Sequence, residues 1–164
     1  MYKIGDSVVY PMHGAGVIED IEQREILGKV QSYYVMRMPI GDMKVMVPME
    51  NAVSIGVRDV ICKEQAEKVL ADFRTVEMDA IQNWNKRFRE NMVKIKSGDI
   101  FEVSAVVKSL MLRDREKGLS TGERKMLSNA KQILISEIVV ATGIDHDSIE
   151  DRLYGMVDEE LSQG

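Results

Sequence analysis

Met43-Lys44-Val45-Met46-Val47-Pro48 is the last strand-like run of the chain and ends in its last proline, and beyond Pro48 the sequence is written in another pattern. Upstream of it the same grammar repeats, with short β-branched or alternating runs cut by Gly and Pro. Ser7-Val8-Val9-Tyr10 stops at Pro11, Gly16-Val17-Ile18 continues toward Ile21, and Ser32-Tyr33-Tyr34-Val35-Met36 stops near Pro39. Leu27-Gly28-Lys29 and Ile40-Gly41-Asp42 put a glycine where a tight turn needs positive φ. Four or five strands this short cannot bury a face as a flat sheet, so a small, strongly curved, barrel-like module is expected.

Downstream of Pro48 there is no proline, and apolar residues recur at spacings of three and four. The spacing predicts five helices. Lys63 to Arg74 forms the first, with Ala66, Val69, Leu70 and Phe73 on one side; Ile81 to Ile95 forms the second, closed by Ser97-Gly98. Asp99 caps a third that carries Val103, Val106, Val107, Leu110 and Met111 and ends at Gly118. Ser120-Thr121-Gly122-Glu123 has the capping-box pattern and opens a long fourth helix to about Thr142, and Asp147-Ser148-Ile149-Glu150 repeats the pattern before a fifth. The whole reads as α+β in two domains, residues 1–60 and 61–164. Ile133 to Ala141 is the most apolar stretch and reads as a buried helix face even though it contains Ser136 and Glu137.

Composition bounds the function. With 164 residues, 45% of them hydrophobic and 30% charged, the chain buries enough surface to fold without a disulfide or metal. Cys62 is the only cysteine, so no intrachain disulfide exists, and His13 and His146 are too few to complete a zinc cluster with it. Cys62 comes directly after Val60-Ile61 and reads as a buried, inert thiol. The first residues lack a secretory pattern and no run approaches the ~20 apolar residues of a membrane span, so a reducing, cytoplasmic setting is expected.

Enzymatic chemistry finds no constellation. Gly14 and Gly16 lack the third glycine of a dinucleotide site, no Gly-Lys-Ser/Thr phosphate loop occurs, and His13 has no nucleophile beside it. Neither a cofactor nor a small-molecule substrate is expected.

The net charge of -5 conceals an asymmetry. Residues 81–131 carry twelve Lys/Arg against six acids, while residues 132–164 carry one against eight. The basic middle either presents a surface to phosphate or forms solvated helix faces. Within it, Asn83-Trp84-Asn85-Lys86-Arg87-Phe88-Arg89 places the only tryptophan among three cations. On a helix Trp84, Arg87 and Phe88 share a face, with Lys86 and Arg89 on an adjoining one. Two readings stand: an aromatic wedge held against a duplex by phosphate contacts, or a ring packed on the neighbouring domain with solvated cations around it. A second basic set, Arg113, Arg115, Lys117, Arg124, Lys125 and Lys131, surrounds the start of the fourth helix but is interleaved with Asp114, Glu116 and Glu123. Met36, Met38, Met43, Met46 and Met49 either fill the module's core or line an adaptable partner surface beside an open strand edge.

These residues together resemble the CarD/CdnL bacterial transcription regulators over nearly the whole chain. The resemblance rests on Gly5-Asp6-Ser7-Val8-Val9-Tyr10-Pro11-Met12-His13-Gly14-Ala15-Gly16, Val47-Pro48-Met49-Glu50-Asn51-Ala52, Gly56-Val57-Arg58-Asp59-Val60, Asn83 to Phe88, Ser97-Gly98-Asp99, Arg113-Asp114 with Lys117 to Ser120, Met126-Leu127 and Ala130 to Leu134. The opening half alone is also similar to the polymerase-interacting module of transcription-repair coupling factors; the helical half with Trp84 separates the two.

The resemblance implies a Tudor-like N-terminal module that binds the RNA polymerase β subunit and a helical domain that contacts promoter DNA at the upstream fork of the bubble. Trp84 would enter the minor groove there and oppose collapse of the melted region. Arg87 and Arg89, with Lys86, match positions that hold the adjacent backbone, and Arg124 and Lys125 match a basic pair near DNA. Arg24 matches a basic position on the polymerase-facing strands, whereas Met46 stands where some relatives carry Arg. The rival reading is a protein-interaction adaptor whose helical domain uses Trp84 to anchor another protein.

Overall fold

The computed structural model describes residues 1–76 and 83–163. Five strands come first: β1 (Ser7–Tyr10), β2 (Gly14–Ile26), β3 (Lys29–Arg37), β4 (Lys44–Pro48) and, after the one-turn helix α1 (Ala52–Ile55), β5 (Arg58–Asp59). They form one antiparallel sheet in the order β4-β3-β2-β1-β5, with a register shift between Ile18 and Asp20 that bends β2. Then come the helices α2 (Lys63–Thr75), α3 (Trp84–Lys96), α4 (Ile100–Glu116), α5 (Thr121–Thr142) and α6 (His146–Gln163). The expected α+β layout, a Tudor-like module and then helices, is the one found.

Each half has its own core. Val8, Ile18, Tyr34, Met36, Met38 and Val47 fill the inner face of the sheet, as alternation along the strands requires. Phe73, Leu110, Leu134, Ile138, Leu153 and Val157 lie at the centre of the helical half. Met36 and Met38 are therefore core residues, and of the five methionines only Met43 is exposed, which favours the packing account over a methionine-lined surface.

Several local expectations are corrected. β2 and β3 run well past the sequence reading into a long hairpin whose tip is Leu27-Gly28, both with positive φ (53° and 80°), the signature of a type I′ turn. Cys62 is exposed, not buried: it is the residue before α2, where its backbone N–H donates to Gln65. α6 starts two residues earlier than expected, at His146, and Asp145 rather than Asp147 caps it through Ser148. The expected helix start at Ile81 lies outside the described residues. α1 and β5 are too short to leave a periodic pattern.

The two halves are joined by buried polar contacts as well as packing. The Ala15 N–H donates to Ser136 Oγ (2.9 Å), whose own proton goes to the Ile133 carbonyl (2.9 Å). Arg58 grips the fully buried Glu137 carboxylate with two nitrogens at 2.7 and 2.8 Å and donates through Nε to the Gly98 carbonyl (3.0 Å). The Ile61 N–H gives Glu137 a third bond (3.0 Å). Hydrogen bonding to Glu137 raises the Arg58 pKa above its ordinary value against the opposing effect of burial. The two polar residues of the Ile133–Ala141 run are thus the ones that meet the sheet module.

Candidate nucleic-acid interface

α3 begins at Trp84 because Asn83 caps it, accepting from the Lys86 N–H at 3.0 Å. One turn later Phe88 stacks under the indole, with centroids 5.0 Å apart and planes 18° from parallel. The indole N–H donates to Ser120 Oγ (3.1 Å), and Ser120 is itself the cap of α5, accepting from the Glu123 N–H (3.2 Å). The ring is 41% exposed and packs within its own half, against the start of α5 rather than on the sheet module. It therefore sits where two helix N-termini meet, and N-termini present backbone N–H groups and partial positive charge to anions.

Arg87 departs from the sequence expectation of an outward cation. It is 6% exposed, with Nε at 2.9 Å and one terminal nitrogen at 3.1 Å from the buried Glu123 carboxylate, which Arg113 also approaches at 3.9 Å. Glu123 is consequently unavailable to complete the capping box foreseen at Ser120, and only the serine half of that box forms. This ion pair pins α3 to α5 beneath the ring.

The remaining cations divide in two. Lys86, Arg89 and Lys125 are exposed, and among the described residues none of them forms an ion pair. Arg124 is exposed and only loosely paired with Asp114 at 3.8 Å. By contrast Arg115 is tied to Asp158 (3.2 Å) and Lys131 to Glu150 (2.9 Å) and the Tyr154 hydroxyl (3.1 Å). The structure thus places Trp84, Lys86, Arg89, Arg124 and Lys125 at the surface around the α3 and α5 starts. An open groove of about 610 Å³, lined by Lys86, Arg89, Glu90, Val93, Lys94 and Glu102, continues along α3.

Comparison with known proteins accounts for both halves. The family model described as CarD-like/TRCF RID domain matches residues 2–61, and the one described as CarD, C-terminal domain matches residues 68–154. A Bacillus subtilis (strain 168) protein described as "Putative transcription factor YdeB" is 43% identical over 150 residues, covering 92% of this chain and 98% of its own length. The chain belongs to the CarD family. As a CarD-family protein it is a transcription regulator, and no helix among the described residues is long and apolar enough to cross a membrane.

The other residues singled out from the CarD resemblance lie on the sheet. Arg24 on β2 pairs across to Gln31, and Met46 on edge strand β4 pairs across to Val35, which faces Asp20. Residues of one cross-strand row share a face, so Arg24 and Met46 both lie on the face opposite the module core, separated by about four residues of strand, ~14 Å, along it. Arg24 meets Glu22 at 3.5 Å in an exposed pair that contributes at most about 1 kcal/mol and leaves the guanidinium accessible. Beyond Arg24 the hairpin exposes Ile26, Leu27 and Val30. Sequence reasoning placed the turn at Leu27-Gly28-Lys29 but missed this apolar tip, because Ile26-Leu27 and Val30 stand among polar residues and make no alternating run.

Gly122 lies under the aromatic pair: a Cβ there would rest 3.6 Å from both Trp84 Cζ2 and Phe88 Cε2, an ordinary contact. Gly122→Ala is expected to raise stability by about 0.5–1 kcal/mol, since Ala removes the conformational cost of a helical glycine. Thermal unfolding measures it, and a lowered Tm would show the rings cannot accept that methyl.

Proposed function

We propose that this CarD-family protein is a non-enzymatic regulator that binds the RNA polymerase β subunit through the outer face of its sheet and stabilises the open promoter complex. In this reading it works in the cytoplasm, and Trp84 is pressed into the minor groove at the upstream edge of the bubble. The observation that carries it is a half-exposed indole where two helix N-termini adjoin, with Lys86 and Arg89 exposed on its own helix and Arg124 and Lys125 exposed near the start of α5. Phosphates bind such cations and N–H groups without regard to sequence, while an apolar ring inserted between base steps favours DNA that is already unstacked. Arg87, occupied by Glu123, serves by holding α3 in place rather than by reaching the backbone.

A factor stabilises the open state only by binding it better than the closed state. Tethering through Arg24 and Met46 raises the local concentration of a weak DNA binder, so the basic patch needs little free affinity.

Open-complex lifetime with purified polymerase separates the two roles. The wild type is expected to lengthen it, and Trp84→Ala to cut that lengthening about tenfold, even at saturating protein. Arg24→Glu is expected to leave the maximal lifetime unchanged and raise the protein concentration needed by about tenfold, because it weakens only the tether. A wild type without effect on lifetime removes the proposal. Salt-insensitive capture of a protein partner by the helical half, with no binding to a forked duplex, would establish the adaptor reading instead.

A further inference from the structure

We propose that Ser120 is a positioning residue for the Trp84 ring: its hydroxyl fixes the indole's rotation so that the ring is oriented before it meets DNA. This rests on the wedge reading above and extends it to a residue far away in sequence. A serine hydroxyl offers two acceptor sites, and here both are taken, one by the Glu123 N–H that starts α5 and one by the indole N–H. The ring's orientation is thereby tied to the first turn of the longest helix. Phe88 restrains the ring plane by stacking, but stacking alone leaves the ring free to slide and turn within that plane. The hydrogen bond 36 residues away removes that freedom. The site is partly open to water, so an unrestrained indole would sample several rotamers there, and freezing them on binding weakens the complex by about three- to tenfold.

Trp84 is the only tryptophan, so its emission reports this ring alone. The cap and the indole bond are separable, because Gly is nearly as good a helix cap as Ser while Ala is not, and neither carries a hydroxyl. The experiment compares wild type with Ser120→Ala, Ser120→Gly, Ser120→Thr and Trp84→Ala by anisotropy decay of the free proteins, where a tryptophan remains, and by open-complex lifetime. Ser120→Ala and Ser120→Gly are both expected to speed the indole's local reorientation and to shorten the factor-dependent lifetime by about fivefold, with Ser120→Thr restoring both. A Ser120→Gly protein that matches wild type in decay and lifetime while Ser120→Ala is impaired would reduce Ser120 to a helix cap and overturn the inference. Unaltered anisotropy decay in every Ser120 variant would overturn it as well. An unchanged lifetime in Trp84→Ala would count against the wedge itself, whereas a shortened one alongside neutral Ser120 variants sinks only the positioning role.

Discussion

Glu137→Ala is expected to destabilise the protein by about 3 kcal/mol, lowering its Tm by about 6–12 °C. The carboxylate is fully buried and receives three hydrogen bonds, two from Arg58 and one from the Ile61 N–H. Removing it strands a guanidinium and a backbone donor that were desolvated to meet it, and an uncompensated buried charge costs more than the pair was worth. The Arg58 side chain keeps 31% of its exposure, so water recovers part of the loss, which places the effect at the lower end of the range for buried pairs. Changing both partners to apolar residues of similar size, Arg58→Met with Glu137→Leu, is expected to recover most of it. Urea titration of the two variants measures both values. A loss below about 1 kcal/mol in Glu137→Ala would mean the pair is not what holds the halves together.

The second large effect is expected at the β1–β2 turn. Gly14→Ala should cost about 3–5 kcal/mol, from two independent causes. Gly14 has φ +111°, a conformation L side chains rarely adopt. In addition, its Cβ would lie 2.5 Å from Ser136 Oγ and 3.5 Å from the Ile133 backbone, so the methyl must expel the hydroxyl that satisfies the Ala15 N–H. Ser136→Ala added to Gly14→Ala is expected to relieve the collision but not the strained φ, leaving the double variant well below wild type in thermal unfolding. A single variant with wild-type Tm would show that the turn and α5 can separate at no cost.

The fold was largely legible because its determinants are local. Period-two runs closed by Pro and Gly placed β1, β3 and β4, and caps such as Asp99 and Gly143 placed the ends of α4 and α5. The hairpin extension was not legible, because its exposed strands, Glu22 to Val30, are paired by backbone hydrogen bonds that carry no hydrophobic pattern. The site was half legible. Spacing alone brought Trp84 and Phe88 onto one face and set Lys86 and Arg89 beside them. It could not show that Arg87 turns inward, since that depends on Glu123, a partner 36 positions away. Nor could it distinguish Glu123 as a capping residue from Glu123 as a counterion, because both uses read the same Ser-x-x-Glu pattern. Ser136 and Glu137 looked like blemishes in an apolar helix and are instead its contacts to the sheet.

The Arg58–Glu137 junction makes the molecule a ruler. With the sheet module and α5 locked together, the span from the outer face of the sheet to the indole is set by the protein itself, so under the proposed function it would not adjust to the promoter. Moving the fork by one base pair shifts it about 3.4 Å and rotates it about 35° around the duplex axis. Under the proposed function, helical phase rather than base identity would then be the property by which promoters are sorted.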